Sequence, residues 1–502
     1  MVKRAGGALL LSVALDHKSA RPISTQLYMI LREMMLSGAI APKARLPATR
    51  AMARDLGISR TTVIEAFERL AAEGLIESRI GAGSFVSEAL NSDRPRAVAR
   101  KTAGTPKVPS PSLSKAMDWA VGRFGDRSRL PHVPRAFVTA LPAFDAFPMA
   151  QWARIMARHW RTGRADVMGY GAPFGYAPLR AAIAAHLRTN RGINCDSDQI
   201  FIVGGAQQAF NLIGSILLSP GDKVWFENPG AIGARNSLLA CGADLVPVPV
   251  DQEGMCVEEG LRRSRQFRLA FVTPSHHQPL GHIMSLERRF ALLRSAEQAG
   301  AWIIEDDYDG EFCFGQQPLA TLKSIDRTGL VIYVGTFSKS LFPALRLGFM
   351  LAPPSLVDAF NRVSASFVQG VPTSVQAGVA EFIEEGFFAT HIRRMRRTYQ
   401  ERHAVLCEAA TRELTGVLDI VPTESGLHTI GHLHPAITEG AAAQAAEQRG
   451  IVVSPTARFC LEPAGTNALV LGFGGVTPKE IKGGIGVLAK ALDGLMRARH
   501  VA

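Results

Sequence analysis

Between Tyr170 and residue 351, short apolar runs alternate with amphipathic segments, and this alternation constrains the fold more than any other feature. The runs, each four or five residues long, are residues 200–203, 223–227, 244–248, 269–272, 301–305, 331–334 and 348–351. Strands separated by helices predict an α/β fold with a doubly wound, mainly parallel sheet. Because ligands bind beyond the carboxyl ends of strands in such sheets, functional residues are expected where the runs end.

One run leads into the stretch Gly335-Thr-Phe-Ser-Lys-Ser-Leu-Phe-Pro-Ala-Leu-Arg346. Lys339 lies in a small-residue turn after a strand, which suits Schiff-base formation, because a partly desolvated amine more readily becomes the neutral nucleophile. Ser338 and Arg346 suit a phosphate, to which an arginine offers a bidentate fork. A surface turn with a solvated lysine is the alternative, and the rest of the chain decides between the two.

A second run ends in Gly204-Gly-Ala-Gln207, which opens a helix. Backbone N–H groups and the helix dipole at such a turn can hold a phosphate, so Gly205, Ala206 and Gln207 are candidates. Small residues also permit tight packing of a strand on a helix, so the turn alone decides little.

A third run ends in acids, in the stretch Ile303-Ile-Glu-Asp-Asp-Tyr-Asp309. Asp306 and Tyr308 are two residues apart, so both face one side of an extended segment. A carboxylate placed against a pyridine nitrogen keeps that nitrogen protonated, and a nearby tyrosine can hydrogen-bond a phenolic ring oxygen. The acids also suit a metal ion, but no second acidic motif supports one, and we predict no metal site.

The length of 502 residues predicts two or three domains, and the charge is unevenly divided between them. Residues 1–130 contain 21 Lys and Arg against 11 Asp and Glu, a net of +10, whereas the remainder carries a net of +2. A compact basic end on a nearly neutral body predicts a nucleic-acid-binding domain attached to something else. Six scattered cysteines without a C-x-x-C pair, and no apolar run near 20 residues, predict a cytoplasmic protein without a membrane span.

The basic end contains the pattern of a helix-turn-helix followed by a hairpin. Residues 48–56 and 60–72 form two short helices joined by Gly57-Ile-Ser59, and residues 74–86 form a hairpin with a glycine-rich tip. Together they predict a winged helix that binds double-stranded DNA. Polar and small residues on the two helices and the wing are the candidate contacts: Arg50, Arg60, Thr61, Thr62, Arg79, Gly81 and Gly83.

This end closely resembles the GntR-type winged helix, through Arg45-Leu-Pro-Ala-Thr-Arg-Ala-Met-Ala-Arg-Asp-Leu-Gly-Ile-Ser-Arg-Thr-Thr-Val63 and Glu77-Ser-Arg-Ile-Gly-Ala-Gly-Ser-Phe-Val86. We assign residues 20–88 to this DNA-binding domain. Residues 89–139, rich in Arg, Lys, Pro and Ser, are predicted to form a basic flexible linker that includes a short helix at 115–121.

Residues 140–498 resemble the fold-type I aminotransferases that use pyridoxal 5′-phosphate, through the three strand-end stretches and Val272-Thr-Pro-Ser-His276. A GntR winged helix joined to such a domain resembles the MocR branch of GntR regulators. The resemblance implies a smaller C-terminal α/β subdomain and a homodimer with shared sites.

The resemblance also implies roles for individual residues. Lys339 would form the Schiff base, Asp306 would pair with the ring nitrogen, and Tyr308 with the ring oxygen. Tyr170 would reach the phosphate of a partner subunit. The remaining phosphate contacts would come from Gly205, Ala206, Gln207, Ser338 and Arg346.

The chain departs from the family pattern around the substrate. Ala231 stands where relatives often carry an aromatic residue over the cofactor ring, so either His276 or His277 stacks instead or the ring is held less tightly. The late strand at 468–473 lacks the arginine that aminotransferases use for a substrate carboxylate. Arg235, Arg458 and His276 are candidate effector contacts.

These observations predict a transcription regulator that depends on pyridoxal phosphate and senses an amino compound, or the cofactor itself. One alternative is an active aminotransferase that carries a DNA-binding domain. The other is a repressor whose large domain only dimerises.

Overall fold

The computed structural model describes residues 13–79, 82–91, 113–126, 134–161, 163–314, 320–367 and 370–500. The chain divides into two compact units, Met1–Pro111 and Ser112–Ala502. Within the described residues, no helix is long and apolar enough to cross a bilayer.

The small unit contains three helices and a two-stranded antiparallel hairpin. Its elements are α1 (Ile23–Ser37), α2 (Thr49–Leu56), α3 (Arg60–Ala72), β1 (Ile76–Arg79) and β2 (Gly83–Val86). Gly57 ends α2 in the left-handed region, and the Ser59 hydroxyl accepts from Thr62 N to cap α3. Both helix ends are as predicted.

Apolar residues from all three helices and the hairpin form a separate core in the small unit. Leu27, Leu31, Val63 and Leu70 are fully buried in it. These side chains recur at helical spacing, which is why the short helices can bury one common face.

The large unit begins with helices and then alternates strands with helices. Its first part contains α4 (Lys115–Val121), α5 (Met149–Arg161), α6 (Ala165–Met168), α7 (Ala177–Arg191), β3 (Ile200–Val203), α8 (Ala206–Leu217), β4 (Lys223–Asn228), α9 (Ile232–Ala240), β5 (Asp244–Asp251), β6 (Gly254–Met255) and α10 (Val257–Arg263). The central part continues with β7 (Leu269–Val272), α11 (Leu286–Ala299), β8 (Trp302–Asp307), α12 (Leu322–Ile325), β9 (Val331–Thr336), α13 (Phe337–Ser340), β10 (Gly348–Leu351), α14 (Val357–Phe367) and α15 (Thr373–Glu384).

Eight strands form the central sheet in the order β3-β10-β9-β8-β7-β4-β5-β6. The pairs β4–β5, β4–β7, β7–β8 and β8–β9 are parallel, whereas β10 is antiparallel to both β3 and β9, and β6 to β5. The doubly wound, mainly parallel prediction is confirmed. Strands β3, β7 and β10 are fully buried, which explains their continuous apolar runs.

Three strands run two or three residues further than the sequence predicted. β8 extends to Asp307 because Asp306 and Asp307 still pair with Val334 and Gly335 of β9. β9 extends to Thr336, and β5 to Asp251. Polar residues at these ends suggested loops, but neighbouring strands and burial keep the backbone extended.

A smaller subdomain completes the large unit. It contains the 28-residue helix α16 (Phe387–Leu414), then β11 (Leu418–Ile420), β12 (His428–Leu433), α17 (Glu439–Glu447), β13 (Ser454–Pro455), β14 (Ala468–Gly472) and α18 (Pro478–His500). Its four strands form an antiparallel sheet in the order β11-β12-β14-β13. The predicted smaller C-terminal α/β subdomain is therefore present.

Part of the predicted linker belongs to the large unit. Helix α4 lies at the predicted 115–121, and Ala120 on it is fully buried. Phe137 and Val138 are also buried, and Phe137 bridges Gly472 of β14. These stretches pack on the fold, whereas the predicted linker residues 92–112 and 127–133 lie outside the described residues.

Candidate functional site

The carboxyl ends of β3, β8 and β9 meet at one edge of the central sheet. A Cβ built on Gly348, where β10 begins, would lie 3.1 Å from Gly205 Cα. A Cβ built on Gly204 would lie 3.8 Å from the carbonyl oxygen of Arg346. The glycine turn, Arg346 and the Lys339 turn that ends β9 are therefore neighbours, although they are distant in sequence.

The glycine turn after β3 has the backbone that a phosphate site requires. Gly205 has φ +107° and precedes the first residue of α8, Ala206. That φ favours glycine, and it aims the first turn of α8, with Ala206 and Gln207, toward the sheet edge. Backbone N–H groups in the first turn of a helix have no partner within the helix. The Gly204 N–H is held by the Gln208 side chain.

The Lys339 turn lies directly after β9. Lys339 Nζ donates to the carbonyl oxygen of Ala140 at 2.8 Å, and Ser338 N donates to Thr336 Oγ1 at 3.2 Å. Arg346 is exposed and has φ +48°, the left-handed region that non-glycine residues rarely adopt. Such backbone strain persists only where the surrounding structure requires it, and it accumulates at functional sites.

Asp306 is a buried carboxylate with one unsatisfied oxygen. The residue is 5% exposed, and Oδ1 is buried with no hydrogen-bond partner among the described residues. Burial, followed by the charges of Asp307, Asp309 and Glu227, raises the pKa of Asp306 well above its usual value. A buried carboxyl without a partner is costly. A protonated pyridine nitrogen supplies the missing donor and positive charge, so this residue fits the cofactor implied by the sequence.

A second buried carboxyl lies at the end of β4. Glu227 accepts from Thr273 N at 3.1 Å and from Thr273 Oγ1 at 2.8 Å, and burial raises its pKa to about 8. His277 Nε2 lies 3.6 Å from Glu227 Oε2, and burial lowers the pKa of His277 to about 3. The two side chains are therefore both neutral at pH 7. The sequence analysis missed Glu227, although it also ends an apolar run.

Tyr308 follows β8 directly, and its hydroxyl contacts His276. The distance from Tyr308 Oη to His276 Nδ1 is 3.0 Å, and the same nitrogen lies 2.9 Å from Asp309 Oδ2. Burial, followed by the charges of Asp309, Asp306 and Glu227, raises the pKa of Tyr308 well above its usual value. The phenol therefore keeps its proton and acts as a hydrogen-bond donor.

His276, Asp309 and His428 also form a group of three potential metal ligands. One donor atom from each lies within 4.8 Å of the others, and all three residues are buried. His276 already contacts Asp309, and His428 Nε2 donates to the Pro279 carbonyl at 3.1 Å. The absence of a metal site remains a prediction.

A buried arginine supports the loop that carries Tyr308. Arg191 ion-pairs with Asp307 and donates to the Gly310 carbonyl at 3.0 Å. Tyr333 of β9 donates to the same carboxylate. The sequence analysis missed Arg191, because it lies more than 100 residues before the loop and only the tertiary fold joins them.

Two predicted effector contacts, Arg235 and Arg458, hold backbone carbonyls instead. Arg235 donates to the carbonyls of Cys460 and Arg123, both at 3.0 Å. Arg458 donates to the Asp126 carbonyl at 3.2 Å. His276, the third candidate, is buried against Asp309. Effector binding by these three side chains stays a prediction.

The carbonyls of Arg123 and Asp126 belong to residues 113–126, which we call the strap. Asn236 of α9 donates to the Gly125 carbonyl and accepts from Gly125 N, both at 2.9 Å. A Cβ built on Gly125 would lie 3.0 Å from Ile232 Cγ2, so the backbone packs directly on the helix. The strap therefore connects α9 to the turn at Arg458.

Two further predicted positions differ in exposure. Ala231 is buried at the start of α9, as a small residue where an aromatic one was expected. Tyr170 is fully exposed, as are most of the Phe367 and Met168 side chains. The contact of Tyr170 with a partner subunit stays a prediction.

Most of the predicted DNA contacts lie on the surface of the small unit. Arg50, Arg60, Thr61, Arg79 and Gly83 are exposed. Arg60 and Thr61 open α3, whereas Arg79 lies on β1, directly before the tip of the hairpin. Cationic and small exposed groups on the helices and the wing form a surface suited to a phosphate backbone.

Three details change the predicted interface. The Thr62 hydroxyl lies 2.7 Å from Ser59 Oγ, so it takes part in the helix cap. Gly81 lies outside the described residues. Arg45 is exposed and its Nε lies 3.2 Å from a Cβ built on Gly83, which adds a cation beside the wing. The sequence analysis missed Arg45 because it precedes α2, far from the wing in sequence.

Comparisons with known proteins match both units. The family model "Bacterial regulatory proteins, gntR family" matches residues 23–86, and "Aminotransferase class I and II" matches residues 134–473. The "Probable rhizopine catabolism regulatory protein MocR" of Rhizobium meliloti is 41% identical over 95% of each chain. The "HTH-type transcriptional regulator TauR" of Rhodobacter capsulatus is 33% identical over 76% of this chain and 78% of that protein.

Among solved structures, the α-aminoadipate aminotransferase LysN of Thermus thermophilus is similar to the large unit. It superposes with a TM-score of 0.70 at 28% identity, over 77% of this chain and all of LysN. That structure contains N-(5′-phosphopyridoxyl)-L-leucine.

Proposed function

The chain belongs to the GntR transcription regulators whose large domain is an aminotransferase class I and II domain, and we propose that it binds pyridoxal phosphate in that domain to sense an amino compound. It is a helix-turn-helix regulator that binds DNA, as its sequence predicted. Our proposal concerns the cofactor site, the amino compound that is sensed and the path to the DNA-binding unit.

The unsatisfied Asp306 oxygen is the observation that carries the cofactor assignment. Asp306 lies on β8, beside β9, the strand that leads into the Lys339 turn. Pyridoxal phosphate supplies an electron sink and an aldehyde when bound. Lys339 would hold its aldehyde carbon, Asp306 its ring nitrogen and Tyr308 its phenolic oxygen. Its phosphate would bind at Gly205, Ala206, Gln207, Ser338 and Arg346.

A second subunit would complete the site. Tyr170 is fully exposed beside Gly171, whose backbone packs closely on Thr373. Met168 and Phe367 are also largely exposed. Exposed apolar side chains of this size are characteristic of subunit interfaces. We therefore propose a homodimer in which Tyr170 reaches the partner's phosphate site.

Through the strap, the large unit can influence the segment of the chain that leads to the winged helix. Arg235 lies on α9 and donates to the carbonyls of Cys460 in the smaller subdomain and Arg123 in the strap, so it joins three parts of the large unit. If ligand binding moves the smaller subdomain, Cys460 moves relative to α9 and the strap contacts change. Ligand control requires such a difference in contacts between two states. Because its target is DNA, the protein is expected to act in the cytoplasm.

The identity of the effector is open between an amino compound and pyridoxal phosphate itself. The active aminotransferase remains a second candidate, because a "2-aminoadipate transaminase" of Thermus thermophilus is 29% identical over 72% of this chain and 90% of that enzyme. The scaffold that only dimerises remains the third.

The visible absorption spectrum during titration with amino compounds separates the three. A sensor gives a visible cofactor band that shifts with one compound and stays shifted. An aminotransferase gives a band that bleaches and then recovers when a keto acid is added. The absence of a band in the presence of excess pyridoxal phosphate would contradict cofactor binding.

A further inference from the structure

A buried histidine–aspartate pair lies directly behind the Tyr308 hydroxyl. His276 and Asp309 are each 2% exposed. His276 Nδ1 lies 2.9 Å from Asp309 Oδ2 and 3.0 Å from Tyr308 Oη. Neither His276 nor Asp309 is among the residues proposed above to hold the cofactor, and yet the pair contacts the hydroxyl that would hydrogen-bond the cofactor's phenolic oxygen.

The hydrogen bonds define where the imidazole carries its proton. His276 Nε2 is buried with no partner among the described residues, so a proton there would have no acceptor. The carboxylate of Asp309 accepts hydrogen bonds, so the proton lies on Nδ1 and points to Asp309. The Tyr308 oxygen lies 3.0 Å from the same nitrogen and also accepts a hydrogen bond from its N–H. The phenol's own proton therefore points elsewhere.

The surroundings prevent the imidazole from turning away. A Cβ built on Gly426, which has φ +79°, would lie 2.1 Å from His276 Cε1. A Cβ built on Gly281 would lie 3.3 Å from Nε2, and the His428 ring lies 4.8 Å away. Two glycines and a second ring therefore form a narrow slot around the His276 ring.

We propose that His276 and Asp309 are positioning residues that hold the Tyr308 hydroxyl as a hydrogen-bond donor toward the phenolic oxygen of pyridoxal phosphate. The proposal rests on the proposed cofactor site. It adds that the strength of the Tyr308 hydrogen bond, and with it the pH at which the bound cofactor titrates, depends on two residues that do not touch the cofactor.

The acidic groups that face Tyr308 act on its proton in two ways. Burial, followed by the charges of Asp309, Asp306 and Glu227, raises the pKa of the phenol, so the phenol keeps its proton. Asp309 also competes for the phenol's proton, because it is a hydrogen-bond acceptor for Tyr308. By donating to Asp309, His276 occupies that carboxylate and frees Tyr308 for the cofactor.

The test measures the midpoint pH of the visible cofactor band in the full-length protein loaded with pyridoxal phosphate. Y308F is the reference variant, H276Q and D309N test the pair, and H432Q is the matched control, because His432 is exposed on β12, the strand that also carries His428. A donor to the phenolic oxygen stabilises the deprotonated chromophore, in which that oxygen carries more negative charge. Loss of the donor therefore raises the midpoint.

We expect Y308F to raise the midpoint most, and H276Q and D309N to raise it by about 0.5 to 1 pH unit, the size expected for one weakened hydrogen bond. H432Q stays at the wild-type value. Equilibrium dialysis should also show that H276Q and D309N lose affinity for pyridoxal phosphate. This loss should be smaller than the loss in K339A.

A midpoint in H276Q and D309N equal to that of the wild type, with Y308F shifted, overturns the proposal. An unshifted Y308F overturns it as well, because Tyr308 would then not reach the phenolic oxygen. If a thermal unfolding measurement shows that H276Q is not folded, the test depends on D309N. If the wild type contains stoichiometric zinc and H276Q does not, His276 and Asp309 belong to a metal site, and this result also overturns the proposal. A wild type without a visible band would instead refute the proposed cofactor binding.

Discussion

The two units form their binding surfaces in opposite ways. In the small unit, Arg50, Arg60 and Arg79 lie exposed, whereas in the large unit Asp306 and Glu227 are buried at a sheet edge. Exposed cations bind a polyanion by releasing its counterions, at little cost to the folded state. A buried acid without a full set of partners costs free energy until a ligand supplies the missing donor.

The difference explains why one surface can be predicted from local sequence and the other cannot. An exposed arginine needs only its own helix or wing to be placed, so local sequence predicts it. A buried carboxylate gains its properties from residues on other strands, so its chemistry emerges from the fold. D306N and E227Q change buried acids, whereas R60A changes an exposed cation, so the effects of the three variants test this comparison.

The largest effect is expected from D306N in the buried site. The amide keeps the shape but removes the charge that a protonated ring nitrogen needs, and breaking a buried charge pair costs about 3 kcal/mol, or roughly 100-fold in affinity for pyridoxal phosphate. Equilibrium dialysis measures this affinity, with D493N as the exposed control. An affinity within about 3-fold of wild type would show that Asp306 does not pair with the ring.

A smaller effect is expected from R60A on the exposed surface. Loss of one phosphate or base contact should weaken binding to double-stranded DNA by about 10-fold and reduce the salt dependence by about one charge if the contact is to a phosphate. Fluorescence anisotropy at several salt concentrations measures both quantities. R32A is the control, because Arg32 is paired with Glu73. Unchanged affinity in R60A would argue against α3 as the recognition helix.

The third prediction, for E227Q, concerns stability and not binding. Burial raises the pKa of Glu227 from 4.5 to about 8, so the folded state holds its proton more tightly than the unfolded state. This contribution is complete below about pH 4.5 and is lost as the pH rises through about 8. The free energy of unfolding should therefore fall with pH in the wild type and fall less steeply in E227Q.

Urea unfolding at pH 5, 7 and 9 measures this slope, with the exposed E253Q as the control. Glu305, whose pKa burial raises to about 7, acts in the same direction, so the slope is reduced and not abolished. Identical slopes in E227Q and the wild type would mean that Glu227 is not a neutral buried acid.

Sequence patterns predicted the elements well where the deciding signals were local. Helix α3 begins and ends at the predicted residues because Ser59 caps it and its apolar face is regular. The strands that carry Asp306 and lead to Lys339 were found from their apolar runs. The order of the sheet was not predicted, and β10 lies between β3 and β9 and antiparallel to both.

The contacts that join distant segments could not be predicted. His276 and Asp309 are 33 residues apart, and Arg235 and Cys460 are 225 apart. No periodicity or spacing connects them, because only the packing of strands and subdomains brings them together. The strap was misjudged for the same reason: its basic, polar composition suggested a flexible linker, but Asn236 and Arg458 hold its backbone.

The most direct test of the account is the site at which pyridoxal phosphate attaches. The protein is incubated with the cofactor, reduced with borohydride and analysed by peptide mass mapping, with K479A as an exposed-lysine control. We expect one phosphopyridoxyl group on Lys339, which is absent from K339A while the DNA affinity of that variant is unchanged. An unlabelled wild type, or label only on exposed lysines such as Lys479, would contradict it.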